Sequence, residues 1–511
     1  MIVPFNVRDF LDRAERAYPG RHAVVDEPDQ PAAEWGTLTF AELAERARSQ
    51  AAGLDALGIG PGERVAIVSH NSARLLTSFF GVCGSGRVLV PVNFRLTEPE
   101  VAYIVEHSGA SVLLVDPELD DTLASVQAPA RFVLGAESDP VLFPRGTDPR
   151  AWEPDEEAVA TINYTSGTTA RPKGVRLTHR NCWVNAALFG WHAQVSDRDV
   201  YLHTLPMFHA NGWGMPWATT GMGCPQVVLR KVDGAEILRR VERHGVTLLC
   251  AAPAVVNATL DALATWEDPV PGRDRTRVIV AGAPPPSRTI ERIESELGWE
   301  FIQIYGLTET APLLTVNRQR SEWDDLPANE RARKLMRAGV PAIGTELAVD
   351  ERGEVLARSN TVMDGYWNQP EATEEALAGG WFHTGDGGTF DEEGHLHILD
   401  RKKDVIISGG ENVSSIEVED VVFAMPGVAE VAVIGVPDDR WGELVTALVV
   451  TDGTIPVTEE RVIAYCRERL AGFKCPKRVE LREALPRTAT GKLQKFKLRS
   501  EFWEGRERQV N

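Results

Sequence analysis

The segment from Tyr164 to Val175 carries the clearest chemical signal in the sequence. It contains Thr165, Ser166, Gly167, Thr168, Thr169, Ala170, Arg171, Pro172, Lys173 and Gly174, and a strand-like apolar run lies on each side. Small residues leave backbone N–H groups free to surround phosphate oxygens, while hydroxyls and a lysine add donors and positive charge. The segment therefore predicts a phosphate-binding loop, although a polar hairpin turn without a ligand explains the same composition.

The order of residues in this loop separates it from the P-loop of kinases and ATPases. In a P-loop, Gly-Lys-Ser/Thr opens a helix. Here Lys173 precedes Gly174, and Pro172 with the strand-like residues that follow disfavours a helix. The sequence argues against a P-loop enzyme and leaves triphosphate binding open.

Other segments carry groups that suit a nucleotide. Tyr305 can offer an aromatic face to a flat base, with the backbone of residues 281–284 as the opposite wall. Thr308 can donate to a phosphate, and Glu309 is a hard oxygen ligand for Mg²⁺. The Asp386 carboxylate can accept hydrogen bonds from paired hydroxyls. Each has a plainer explanation when taken alone: a solvated loop carboxylate for Glu309 and a turn cap for Asp386.

The elements that must position these groups follow an α/β pattern. Helix-like and strand-like segments alternate through the first 150 residues and again across 230–310, which predicts mostly parallel sheets covered by helices. Short alternating segments between 340 and 400 predict antiparallel strands. We expect an α/β fold with a large N-terminal body (1–400) of βα-built sheets and antiparallel strands, and a small α+β lid (401–511).

Composition excludes several classes of protein. The chain has 511 residues, 43% hydrophobic and 25% charged, which are ordinary globular values. Its net charge of −20 argues against a nucleic-acid coat or a polybasic membrane surface. Neither a signal peptide nor a transmembrane segment is predicted. The six cysteines are scattered without a CxxC pair, which favours reduced thiols in a cytoplasmic protein over a zinc site.

Together, the motifs resemble the adenylate-forming superfamily of acyl-CoA synthetases, adenylation domains and firefly-type luciferases. The match spans nearly the whole chain and is specific because the motifs come in the expected order. After the phosphate loop these are LPMFHANGW (205–213), AGAPPP (281–286), YGLTET (305–310), WFHTGD (381–386), DRKKDVIISGGENVSSIEVE (400–419) and LPRTATGKLQK (485–495).

The resemblance implies ATP/AMP, Mg²⁺ and coenzyme A as cofactors and assigns residues to them. It implies that Lys492 is the catalytic lysine and that His209 gates the acyl pocket, with Thr308 and Glu309 at the reaction centre. Glu309 and Thr165 are the expected magnesium ligands. The expected nucleotide and coenzyme contacts are Thr165, Ser166, Gly167, Thr168, Thr169, Lys173, Gly282, Ala283, Pro284, Tyr305, Gly306, Asp386, Arg401, Gly409 and Gly410.

The resemblance also implies that the antiparallel strands of the body form a distorted antiparallel barrel, that the lid is mobile and that the reaction has two steps. The acid first attacks the ATP α-phosphate to give acyl-AMP and pyrophosphate, and Lys492 stabilises the developing charge. The lid then rotates about a hinge near 401–404, at Lys403, so that Lys492 withdraws and residues 408–412 meet the coenzyme A thiol.

The segment MFHANGW favours the acyl-CoA ligase branch because it has no acid to pair with an amino-acid ammonium. Met215, Trp217, Met222 and the glycines beside them predict an apolar pocket for a medium- to long-chain or bulky hydrophobic acid. The expected partners are that acid, ATP and coenzyme A, without nucleic acid, and a homodimer is expected from the family.

An alternative is an enzyme specialised for one half-reaction: thioesterification of preformed acyl-AMP, or adenylation for transfer to a carrier protein. It rests on Ala170, where the family usually has glycine. An alanine at positive φ costs roughly 1 kcal/mol. The strand pair of residues 348–359 is also shorter than in many relatives.

The charge is unevenly distributed along the chain. Residues 461–499 hold twelve Lys or Arg against three Glu, a local charge of +9 in a chain of net charge −20. The predicted lid thus places positive charge where it can meet the phosphates of ATP and coenzyme A.

Overall fold

A computed structural model describes residues 1–165, 172–282, 285–401, 404–408, 411–438, 441–487 and 493–503, with the backbone alone at Asp400, Arg401 and Asn412. Its strands are β1 His22–Val25, β2 Thr37–Thr39, β3 Arg64–Val68, β4 Val88–Val92, β5 Ala110–Val115, β6 Ala130–Val133, β7 Val159–Thr165, β8 Lys173–Thr178, β9 Tyr201–His203, β10 Gln226–Val228, β11 Leu248–Ala251, β12 Arg277–Val280, β13 Glu300–Tyr305, β14 Thr315–Arg318, β15 Val340–Pro341, β16 Thr345–Val349, β17 Glu354–Ser359, β18 Gly365–Tyr366, β19 Phe382–Phe390, β20 Leu396–Arg401, β21 Ile406–Ser408, β22 Glu411–Val413, β23 Val428–Asp438, β24 Gly442–Thr451 and β25 Arg478–Leu481.

The α-helices are α1 Asp9–Ala17, α2 Phe40–Ala56, α3 Ala73–Gly81, α4 Glu98–Ser108, α5 Asp139–Leu142, α6 His179–His192, α7 Met215–Gly221, α8 Gly234–His244, α9 Pro253–Leu263, α10 Ser287–Arg292, α11 Ala328–Leu335, α12 Pro370–Ala376, α13 Ser415–Phe423, α14 Glu459–Arg467 and α15 Lys495–Trp503. Among the described helices, none combines the length and apolar character needed to span a lipid bilayer.

Local sequence explains where several helices begin and end. The Thr39 hydroxyl and the Glu42 carboxylate form a capping box at the start of α2, which satisfies backbone donors that have no partner within the helix. The Ser72 hydroxyl accepts from the Leu75 N–H at the start of α3 and caps that helix. Gly245 ends α8 in the left-handed conformation that glycine adopts without strain.

Two large sheets form the N-terminal body. One has nine strands in the order β15-β14-β13-β12-β11-β9-β10-β1-β2, and the other has seven in the order β18-β8-β7-β4-β3-β5-β6. Their central strands are parallel, and antiparallel strands stand at the edges. The alternation of helix and strand in the sequence predicts this arrangement, because parallel neighbours need crossover helices.

Strands β16, β17, β19 and β20 form a third, antiparallel sheet, in the region where the sequence predicts antiparallel strands. Residues from 404 onward build their own sheet in the order β22-β21-β24-β23, with β25 on β24, and have their own apolar core. The predicted fold class is therefore confirmed. The boundary near 401–404 and the lid movement stay predictions.

An ion pair joins the two large sheets. Asp116 follows β5 of one sheet, and Arg230 follows β10 of the other. The guanidinium donates to both Asp116 oxygens at 2.6 and 2.8 Å, and both side chains are at least 96% buried. A second link from the Arg230 Nη2 to Glu118 measures 2.9 Å. Removal of one partner from such a pair leaves an uncompensated buried charge.

We expect Asp116→Ala to lower the free energy of unfolding by about 3–5 kcal/mol, because Arg230 would lose its bidentate partner inside the protein. Urea unfolding of the full chain, followed by tryptophan fluorescence, measures the loss. The control is Glu296→Ala, which breaks a 2.8 Å pair with Arg292 on a helix surface and should cost less than about 0.5 kcal/mol. Equal losses in the two variants would contradict the role of the buried pair.

Candidate active site

The base of the predicted phosphate loop is the antiparallel pair β7–β8. Thr165 lies opposite Lys173, and Tyr164 lies opposite Gly174. A side chain at Gly174 would bring its Cβ within 2.9 Å of Ile162 Cγ2 and 3.1 Å of Tyr164 Cζ, so glycine is needed for this close approach. The pairing thus fixes both ends of the loop.

Ten predicted site residues lie outside the described residues. From the phosphate loop these are Ser166, Gly167, Thr168 and Thr169. The others are Ala283, Pro284, Lys403, Gly409, Gly410 and Lys492. The Ala170 substitution lies outside them as well.

Tyr305 and Asp386 meet although they are distant in sequence. The Tyr305 hydroxyl, at the end of β13, donates to Asp386 Oδ2 in β19 at 2.8 Å. Asp386 is 7% exposed and pairs across the sheet with the backbone of Arg401 in β20. The sequence predicts Tyr305 as an aromatic wall and Asp386 as an acceptor. It does not predict that one holds the other.

The segment after β13 forms a short 3₁₀ turn at Thr308–Thr310. The Thr310 hydroxyl fixes this turn by donating to the Pro312 carbonyl at 2.8 Å. A Cβ at Gly306 would lie 1.5 Å from that carbonyl oxygen, so no other residue fits there without a backbone shift. The turn presents Glu309 as a half-buried carboxylate.

Residues 363–367 connect Glu309 to the phosphate loop. The Met363 N–H donates to the Glu309 carbonyl, and the Trp367 N–H donates to the Gly174 carbonyl, each at 2.7 Å. Between them, the Tyr366 hydroxyl donates to Glu309 Oε1 at 3.0 Å. The Lys173 ammonium lies 4.7 Å from the centre of the Tyr366 ring.

Tyr366 is not among the site residues predicted from the sequence. One signal in the sequence could have indicated this residue: the aromatic pair Tyr366-Trp367 lies between the motifs at 305–310 and 381–386. Burial and the neighbouring Glu309 carboxylate raise the pKa of Tyr366, so its hydroxyl stays a donor.

His209 begins a turn with unusual backbone geometry. Ala210, Asn211, Gly212 and Trp213 all have positive φ, between 43° and 60°. The Asn211 side chain holds this turn: it donates to Thr161 Oγ1 and accepts from Asn163 Nδ2, each at 3.0 Å. Since Thr161 and Asn163 belong to β7, one strand supports both the phosphate loop and the turn after His209.

The residues predicted to line an apolar pocket have another role in the structure. Met215 and Trp217 are fully buried. A Cβ at Gly221 would lie 2.5 Å from Phe10, and one at Gly223 would lie 2.3 Å from Tyr18. The two glycines allow the N-terminal helix region to pack closely, which the spacing along the sequence could not indicate.

The described residues hold no group of three or more His, Cys, Asp or Glu side chains that could bind a metal ion. All six cysteines are buried and free of disulfides, in line with the predicted reduced thiols.

Two family models match the chain. The AMP-binding enzyme model covers residues 11–367, and the AMP-binding enzyme C-terminal domain model covers residues 417–492. The chain is 37% identical over 532 residues to 4-hydroxybutyrate–CoA ligase 2 of Metallosphaera sedula, covering 96% of this chain and 93% of that protein. It is also 37% identical over 540 residues to 2-methylpropanoate–CoA ligase CCL4 of Humulus lupulus, covering 97% and 95%.

The fold has a solved counterpart as well. The crystal structure of ATP-bound MatB from Rhodopseudomonas palustris is 29% identical and superposes with a TM-score of 0.84, covering 97% of this chain and 99% of that one. The chain therefore belongs to the AMP-binding enzyme family, in the acyl-CoA synthetase branch of the adenylate-forming superfamily, and is an AMP-forming acid–CoA ligase that uses ATP and coenzyme A.

Proposed function

We propose that this ligase activates a short-chain carboxylic acid with Mg-ATP and passes the acyl group to coenzyme A at a site built from Lys173, Glu309, Tyr305 and Asp386. One observation carries the assignment. Tyr366 contacts both Lys173 and Glu309, and β7 continues from the phosphate loop to the side chains that hold the turn after His209. Strand β7 thus links Thr165, at the start of the phosphate loop, to the turn after His209, which is assigned to the carboxylate substrate.

The nucleoside half of ATP is assigned to Tyr305 and Asp386. The Tyr305 ring offers a face for adenine, and its hydroxyl fixes the Asp386 carboxylate at 2.8 Å. A carboxylate held in this way can accept hydrogen bonds from both ribose hydroxyls. Arg401 lies opposite Asp386 in the strand pair and is assigned to the ribose or to a phosphate. Gly282 and Gly306 are assigned to the backbone that surrounds the nucleotide.

Magnesium is assigned to Glu309 and Thr165. A carboxylate and a hydroxyl are hard oxygen donors, and Mg²⁺ is commonly held by one or two carboxylates together with nucleotide phosphates. This donor set fits Mg²⁺, because both donors are hard oxygens and the half-buried Glu309 carboxylate is held by the Tyr366 hydroxyl. The bound ion would shield the charge of the departing pyrophosphate.

The remaining roles belong to the C-terminal domain. We assign the adenylation step to Lys492, whose ammonium would stabilise charge on the transferring phosphoryl group, and the hinge to Lys403. Gly409 and Gly410 would face the pantetheine in the second step. A hydrogen bond joins the body to the lid: the Ser287 N–H of the body donates to the Asp420 carboxylate of the lid at 3.0 Å. A homodimer and a cytoplasmic location stay predictions.

The proposed acid is smaller than the medium- to long-chain acid predicted from the sequence. Trp217 is fully buried, and Gly221 and Gly223 lie against the N-terminal helix region, so these residues offer little space for a long chain. The relatives named above act on 4-hydroxybutyrate and 2-methylpropanoate, both four-carbon acids. These two observations favour a substrate of about that size.

The test is a panel of straight, branched and hydroxylated acids from two to sixteen carbons, with pyrophosphate release and CoA-thioester formation scored separately. We expect kcat/KM to peak near four carbons and the two rates to agree. A peak at ten carbons or more would refute the short-chain assignment. Pyrophosphate release without thioester would instead favour transfer to a carrier protein, and thioester from preformed acyl-AMP alone would favour an enzyme of one half-reaction.

We expect Lys492→Ala to reduce acyl-AMP formation by at least about a hundredfold, because removal of one positioned charge from the transition state has effects of that size. Coenzyme A transfer from preformed acyl-AMP should stay within about twofold, since the lysine withdraws before that step. The matched control is Lys497→Ala, an exposed lysine of the same domain. Parallel loss of both half-reactions in Lys492→Ala would contradict the assignment.

We expect Tyr305→Phe to raise the KM for ATP about five- to tenfold with a smaller change in kcat. The ring that faces adenine remains, but Asp386 loses a hydrogen bond worth roughly 1–2 kcal/mol. Steady-state kinetics of pyrophosphate release measure the effect. Tyr465→Phe, which removes a hydroxyl bond to the Ala424 carbonyl in the lid, is the control. An unchanged KM for ATP would show that Tyr305 does not position the ribose acceptor.

A further inference from the structure

We propose that Tyr366 is a positioning residue for the first half-reaction: its hydroxyl aims the Glu309 carboxylate at magnesium, and its ring sets the place of Lys173. The inference goes beyond the assignment of Glu309 as a metal ligand, on which it rests. Tyr366 has no assigned part in the chemistry, and it acts through two other side chains.

The first support is the hydrogen bond to Glu309. The hydroxyl lies 3.0 Å from Oε1, and the carboxylate is the acceptor. A carboxylate with one oxygen engaged has restricted rotation about its last side-chain bond. Hydrogen bonds to a charged partner are stronger and more directional than neutral ones. The bond therefore sets the direction from which the carboxylate can approach a cation.

The second support is the place of the ring. Lys173 lies at the first position of β8, where the described part of the phosphate loop resumes, and its ammonium lies 4.7 Å from the Tyr366 ring centre. A cation over an aromatic face gains about 0.5–2 kcal/mol, depending on how well it is shielded from water. Tyr366 is 9% exposed, so its ring is well shielded.

The third support is that the backbone leaves Tyr366 little freedom. Tyr366 pairs with Val175 in β8, and its N–H donates to the Thr373 hydroxyl at 2.9 Å. On either side, Met363 and Trp367 donate to the Glu309 and Gly174 carbonyls. The segment 363–367 is thus hydrogen-bonded to the turn that carries Glu309 and to strand β8, which carries Lys173. Because the donor and the acceptor are both held in place, the Tyr366 hydroxyl can orient the Glu309 carboxylate.

The central variant is Tyr366→Phe, which keeps the ring and removes only the hydroxyl. We expect the Mg²⁺ concentration for half-maximal pyrophosphate release to rise about tenfold, the size of one hydrogen bond to a charged group. Calorimetric ATP affinity should fall in the presence of Mg²⁺ and stay within about twofold in its absence. Acyl transfer from preformed acyl-AMP should be unchanged.

The double variant Tyr366→Phe/Glu309→Gln separates positioning from general stability. If the tyrosine acts through Glu309, adding Tyr366→Phe to Glu309→Gln should change the Mg²⁺ requirement by less than about twofold, because the effects of directly coupled residues do not add. Tyr465→Phe should behave as the unmodified enzyme in every assay.

Three results would overturn the inference. One is a Tyr366→Phe enzyme with an unaltered Mg²⁺ requirement. Another is equal loss of ATP affinity with and without Mg²⁺, or equal loss of both half-reactions, as expected of a purely structural residue. The third is full additivity in the double variant. Failure of the metal assignment looks different, since Glu309→Gln alone would then keep the Mg²⁺ requirement of the unmodified enzyme.

Discussion

The backbone hydrogen bonds of residues 363–367 are the constraint on which the geometry of the site depends. Glu309 follows β13 of the nine-stranded sheet, whereas Lys173 lies in β8 of the seven-stranded sheet. The segment 363–367 links the two side chains. It includes β18, the edge strand of the seven-stranded sheet, and it bonds to the Glu309 carbonyl on one side and to the Gly174 carbonyl on the other. The buried Asp116–Arg230 pair joins the same two sheets elsewhere.

Strand β7 extends this constraint to the turn after His209, which is predicted to lie on the acyl side of the site. Its last residue, Thr165, starts the phosphate loop, while Thr161 and Asn163 hold Asn211 through buried hydrogen bonds. A strand transmits position well because its residues advance by about 3.3 Å in fixed alternation. The separation of Thr165, at the start of the predicted phosphate loop, from the turn after His209 is therefore set by a few residues of one strand.

The fold class and many of the candidate site residues could be predicted from the sequence, whereas the contacts between residues distant in the chain could not. The alternation of helix and strand reflects local periodicity, so the fold class could be inferred without contacts. Glu309, Asp386 and Lys173 could be proposed as site residues because their motifs have a characteristic order, and their roles stay predictions. Tyr366 was missed because its role arises from two contacts to residues remote in the chain. Gly221 and Gly223 lie in close contact with Phe10 and Tyr18, and the sequence could not show this because small residues mark close packing as readily as open space.

The left-handed turn at residues 210–213, which is predicted to lie beside the acyl pocket, has a consequence for attempts to widen the range of acids. Ala210 and Trp213 each hold a backbone conformation that is unfavourable for a side chain by roughly 1 kcal/mol. A change of Trp213 to glycine would then have two opposing effects, relief of backbone strain and loss of a large side chain that is 4% exposed. A library of variants that includes glycine at this turn therefore changes the backbone strain as well as the size of the side chain. Pairing each glycine variant with an alanine variant separates the two contributions.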